Sequence, residues 1–127
     1  MDDTKTILVA VSDIFFYTKI RDAFKPAGYK LERLRSSEDW QEKALKSQPI
    51  GMIVNMNDDR LNTPDILKAL KASQQTESLP ILAFANHEEV GTWKLAKDLG
   101  IQKVVSRNEF SARTLALFEE VTSSTSS

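Results

Sequence analysis

The sequence predicts an α/β fold built on one doubly wound sheet of five parallel strands. Two observations carry that expectation. Short apolar, β-branched runs alternate with segments of helical periodicity, five times over. The best of those runs are apolar at every position, as in strands covered on both faces. Parallel strands joined by helices need right-handed crossovers, and a five-stranded sheet with helices on both faces is the packing that satisfies them.

Taken in order, "TILVAV" (6–11) is a continuous apolar strand. "IFFYTKIRDAF" (14–24) spaces Phe16, Ile20, Ala23 and Phe24 as one helix face, with Asp13 as N-cap and Pro26 and Gly28 as stops. "KLERL" (30–34) is a charged strand suited to a sheet edge. "SSEDWQEKALKSQ" (36–48) reads as a helix capped by Ser36 or Ser37, with Trp40 and Ala44 on its core face. "GMIVNM" (51–56) is the third strand, centred on Met52, Ile53 and Val54. In "TPDILKALKAS" (63–73) Thr63 is placed as N-cap, Pro64 at the first helical position and Asp65 in the first turn. "LPILAFA" (79–85), "EEVGTWKLAKDLG" (88–100), "QKVVS" (102–106) and "SARTLALFEEV" (111–121) complete the pattern as strand, helix, strand and helix. Residues 1–121 form the expected domain, and "TSSTSS" (122–127) reads as a frayed tail or the start of a linker.

Composition narrows the function. The 127 residues suit one domain, and 41% hydrophobic with 28% charged residues is a globular balance. A net charge of -1 creates no general pull toward nucleic acid or an anionic membrane. Cysteine is absent and His87 is the only histidine, which excludes thiol catalysis, disulfides and a histidine-cluster zinc site. The acidic, polar start is unlike a signal peptide, and no apolar run nears the ~18 residues of a membrane span. A cytoplasmic protein without nucleic-acid or membrane partners is expected. No glycine occurs in "AVSDIFF" after the first strand, so a phosphate-cradling loop is not expected there.

Several phrases give the chain a family likeness. "KPAGY" (25–29) marks a helix end before strand two, "SQPIGMIVN" (47–55) a proline and apolar run into strand three, "LPILAFAN" (79–86) strand four, and "AKDLGIQKVVSR" (96–107) a helix end and strand five. With these marks the sequence resembles, over about residues 5–121, a CheY-like receiver domain of bacterial response regulators. The resemblance implies a flavodoxin-like (βα)5 fold with strand order 2-1-3-4-5. It also implies a site at the carboxyl ends of the strands: two acidic Mg²⁺ ligands, a phosphoryl-accepting aspartate, a Thr or Ser, a Lys and an aromatic switch. Carried over position by position, the acidic pair falls on Val11 and Ser12, the acceptor on Asn55, the hydroxyl on Ala85, the lysine on Arg107, the proline after it on Asn108 and the switch on Val104.

Each replacement removes part of the chemistry. Val11 offers Mg²⁺ no ligand and Ser12 only a neutral hydroxyl. The amide of Asn55 cannot form an acyl phosphate, Ala85 has no hydroxyl, and Arg107 keeps a charge in a different geometry. The expectation is a degenerate pseudo-receiver with no catalytic residues, no metal and no cofactor. Asp13 is then a helix cap, and Asp58 and Asp59 are solvated loop residues or part of a turn. The alternative is a displaced site with Asp58 as acceptor and Asp13 as metal ligand. Ser12, Asn55 and Arg107 are also expected to hydrogen-bond one another and lock the strand ends.

Without that chemistry, function moves to the surface. At 3.6 residues per turn Thr92, Leu95, Ala96 and Leu99 of the fourth helix face the sheet, while Val90, Trp93 and Lys97 lie roughly 110–170° away. Those three are the candidate partner-binding residues, the partner being a further domain of the same chain, another signalling protein or a second copy; Trp93 reads alternatively as an edge-of-core residue lying flat over the neighbouring helix or loop. Gly91 either marks a late start of that helix or allows a partner to approach closely. Phe16 belongs to the core, while Phe15 either plugs the vacated metal pocket or makes a second contact. The basic residues Lys30, Arg33, Arg35, Lys43 and Lys46 alternate with acids and read as a solvated face.

Overall fold

The structure is a computed structural model that describes residues 5–36, 38–86, 88 and 90–124. Five strands, β1 (Lys5–Ala10), β2 (Tyr29–Arg33), β3 (Gly51–Asn55), β4 (Ile81–Ala85) and β5 (Lys103–Ser106), form one parallel sheet in the order β2-β1-β3-β4-β5. The predicted fold is the observed one, with the charged strand β2 at an edge.

Side chains alternate across the sheet with period two, which divides the core. Ile7, Val9, Ile53, Leu82, Phe84 and Val105 point to one face, covered by α1 (Ile14–Phe24), α5 (Arg107–Ala112) and α6 (Thr114–Ser124). That half is aromatic: Phe16, Phe84 and Phe110 pack together, with Phe84 and Phe110 stacked at 4.5 Å. Leu8, Ala10, Met52, Val54, Ile81 and Ala83 point to the other face, covered by α2 (Trp40–Ser47), α3 (Thr63–Ala72) and α4 (Val90–Asp98). That half is aliphatic apart from Trp40 and Trp93 at its margin. Gly51 is required by the first face, because a Cβ there would lie 2.7 Å from the Phe118 ring.

Local chemistry corrects several expected boundaries. Helix α1 runs as expected, with Asp13 accepting from the Phe15 and Phe16 N–H groups, then gives way to a 3-10 turn at Lys25–Ala27 closed by left-handed Gly28. Helix α2 starts at Trp40, not Ser36, because the Asp39 carboxylate reaches back to the N–H groups of Arg35 and Ser36 and holds that stretch as a turn. Burial alone would raise the Asp39 pKa, but those bonds and Lys43 outweigh it and hold the carboxyl below its usual range. Ser36 caps no helix, and Ser37 lies outside the described residues.

Thr63 is the first residue of α3 rather than its cap. Asn62 holds the cap position in a left-handed conformation, and the buried Thr63 hydroxyl donates to the Asn55 carbonyl. Helix α4 spans Val90–Asp98 with Gly91 in its first turn, and residue 89 before it lies outside the described residues. The last helix is two helices. Ser106 accepts from the Glu109 N–H and starts α5, and the chain breaks at Arg113 before α6. Residues 122–124 belong to α6, and residues 125–127 lie outside the described residues.

Candidate functional site

The strand register brings the carried-over positions to one edge of the sheet. Ala10 lies opposite Val54, Asn55 opposite Phe84 and Ala85 opposite Ser106, so positions 11, 55, 85 and 107 follow the strands out at the same level. Val11 and Ala85 are buried, Asn55 is half-buried and Arg107 is exposed.

The group at the centre of this corner is Asp58, which the sequence reading places in solvent. Its side chain lies beneath the β3–α3 loop, and the residue is only 5% exposed. One carboxylate oxygen accepts the Ser12 N–H at 2.6 Å, and the other accepts the Ser12 hydroxyl at 2.9 Å and the Leu61 N–H at 3.1 Å. A buried carboxylate is tolerable only when donors replace its water, and these three do so. Ser12, at the end of β1, is thereby tied to a loop 46 residues away. Its carbonyl faces the Arg33 guanidinium at 3.4 Å, which also lies over the Tyr17 ring. Asp59 is exposed, as expected. Only the Ser at the end of strand one and the backbone donors could have signalled the role of Asp58, and sequence does not place either against it.

Asn55 does not join Ser12 and Arg107, so the expected three-residue lock is absent. The Asn55 side-chain oxygen accepts the Asn57 N–H at 3.0 Å, an Asx turn that ends the strand. Arg107 stands over the Phe16 ring at 4.4 Å, with its outer nitrogen 3.7 Å from Asp13. Its charge is thus used on an aromatic face and on the α1 cap. Phe15 plugs no pocket: it is 84% exposed, beside the half-exposed Ile14.

The donor set at this edge does not fit the magnesium ion that receivers bind. Mg²⁺ requires oxygen ligands in near-octahedral array. Val11 supplies none, both Asp58 oxygens carry internal hydrogen bonds, and Asp13 divides its oxygens between the α1 cap and Arg107. Among the described residues no three His, Cys, Asp or Glu side chains are grouped to hold a metal ion.

The candidate contact residues do converge. Val90, Trp93, Lys94, Lys97, Ile101 and Val104 line an open groove of ≈ 470 Å³ between α4 and β5. Val90 is 76% exposed. Trp93 is half-buried: its ring packs at the margin of the aliphatic core, and its indole N–H donates to the Asn86 carbonyl at 3.0 Å. Val104, at the aromatic-switch position, forms part of the groove. Among the described residues neither Lys94 nor Lys97 has an acidic partner.

CheY4, a chemotaxis protein of Vibrio cholerae, superposes with a TM-score of 0.80 over 93% of this chain and 98% of its own, at 18% identity. A CheY-like receiver domain protein of Methanospirillum hungatei gives 0.82 over 97% of both chains at 10% identity. This chain has the receiver fold. The receiver domain of the Pseudomonas aeruginosa sensor histidine kinase PA1611, solved with a magnesium ion in its active-site cleft, gives 0.80 over 94% of this chain and 98% of its own, at 12% identity. No protein-family model matches the sequence. No curated protein matches it either. Among the described residues no helix is long and apolar enough to cross a membrane.

Proposed function

We propose that this chain is a phosphorylation-independent pseudo-receiver, a protein–protein interaction module of bacterial two-component-type signalling with no enzymatic step of its own. One observation carries the reading. The acceptor position holds Asn55, and the buried carboxylate nearest to it in sequence, Asp58, already accepts three internal hydrogen bonds. An amide cannot attack a phosphoryl group. A carboxylate that did so from position 58 would first have to release Ser12 and Leu61.

The working surface is the α4–β5 groove, with Val90, Trp93 and Lys97 as contacts. A half-exposed tryptophan on an apolar floor is the kind of residue that anchors interfaces. The partner is a protein: a further domain of the same polypeptide, a separate signalling protein or a second copy.

Amide spectra of the labelled chain, titrated with beryllofluoride and Mg²⁺, test the first half. No saturable shift is expected at Asn55 or Ala85, and intact mass after incubation with a small phosphoryl donor stays unchanged. A saturating shift, or an aspartyl phosphate at Asp58, would establish the displaced site instead. For the second half, Trp93→Ala is compared with wild type in a pull-down. Equal recovery of every partner removes Trp93 from the surface.

A further inference from the structure

A run of neutral hydrogen bonds leads from the end of β3 to the α4 groove. It begins where Asn55 takes the Asn57 N–H. The Asn57 side-chain oxygen then accepts the N–H of Asn86 at 2.7 Å, from a residue 29 positions later in the chain. Its amide nitrogen donates to the Thr92 hydroxyl at 3.3 Å, in the first turn of α4. The carbonyl of Asn86 in turn accepts the Trp93 indole N–H at 3.0 Å.

Asn86 follows directly on Ala85, the last residue of β4, and is exposed. An exposed residue in a connecting segment has no reason of its own to keep one backbone orientation. Here its N–H is held from β3 and its carbonyl holds the tryptophan, so the direction of the indole depends on where Asn57 stands. Asn57 does not drift, because Asn55 pins its backbone. Every member of the run is uncharged, so the arrangement depends on neither pH nor a counter-ion.

We propose that Asn57 is a positioning residue for Trp93, a permanent tie that sets the β4–α4 junction and hence the indole across the groove. It acts where the receiver resemblance would put a hydroxyl at position 85 and an aromatic switch at 104, both of which this chain lacks. The working role of the tie rests on the α4–β5 groove being the contact surface. The tie itself is read in the isolated chain, so the two can fail separately.

The experiment is amide hydrogen exchange and indole N–H spectroscopy on the full, ¹⁵N-labelled chain. The Trp93 indole resonance is assigned as the one lost in Trp93→Phe, since Trp40 supplies the other. In wild type the Asn86 amide is protected despite its exposure. In Asn57→Ala that protection falls about tenfold, the worth of one lost hydrogen bond, and the Trp93 indole N–H shifts. The core amide of Ile53 keeps its exchange rate, which separates this effect from general loosening. Asn57→Asp keeps the acceptor and restores both signals. An unprotected Asn86 amide in wild type overturns the proposal without any variant. So does an Asn57→Ala chain whose Asn86 exchange and indole resonance match wild type. A tie confirmed while Trp93→Ala loses no partner would leave the positioning intact and remove the groove as the contact surface.

Discussion

The β1–β3 corner and the α4–β5 groove treat their side chains in opposite ways. At the corner, Asp58 is matched with Ser12 and Leu61 and Asn55 with Asn57, while the buried Arg33 Nε beside Ser12 has no hydrogen-bond partner. Along the groove, Val90, Trp93, Ile101 and Val104 line a surface that the chain leaves open, with two lysines on it that have no acidic partner among the described residues. A pocket built to take a metal needs carboxylate oxygens free for it, and both Asp58 oxygens are already engaged. A surface built for contact needs apolar area left over, and the groove has kept it.

Asp58→Ala is expected to have the greatest effect on stability. It leaves the Ser12 N–H, the Ser12 hydroxyl and the Leu61 N–H without their acceptor in a buried place, and a loss of about 3 kcal/mol is expected in denaturant unfolding. Asp58→Asn, which keeps an acceptor, loses less. Wild-type stability in Asp58→Ala would mean that the corner is not closed. Arg107→Ala comes next, with a loss of about 0.5–1 kcal/mol from the Phe16 ring contact. The Asp13 pair adds little, because both side chains are nearly half exposed. A loss well above that range, read from the shift in unfolding midpoint, would revive a structural lock centred on Arg107.

The smallest effect has the opposite sign. A Cβ on Gly91 would meet nothing within 4 Å, so Gly91→Ala is expected to stabilise α4 by about 0.5 kcal/mol. Measured in a partner pull-down, the same variant sharpens the comparison. Unchanged recovery places the partner away from the start of α4, and reduced recovery places it over Gly91.

Much of this was legible in the residues, and the misses share a cause. The alternation of apolar runs and helical periods was enough for the sheet and for both of its faces, because burial imposes those periods on the sequence itself. The Asp13 cap and the Gly28 stop were legible because caps act within a few residues. The division of the last helix had a local signal that went unused, Ser106 with Glu109 three positions on, the spacing of a capping box. The start of α2 was misplaced because Asp39 turned backward to Arg35 and Ser36, a choice that two adjacent serines disguise.

The α/β class, the edge strand, the asparagine at position 55 and the residue types along α4 can be read from the chain alone, since each depends on composition or on neighbours in the chain. Only the tertiary structure decided that Asp58 is buried on Ser12, that Arg107 covers Phe16, and that Asn57 reaches Asn86 and Thr92. These contacts join segments tens of residues apart. A side chain's hydrogen-bond partner is chosen by what the fold places within about 3 Å of it, and no local pattern records that choice.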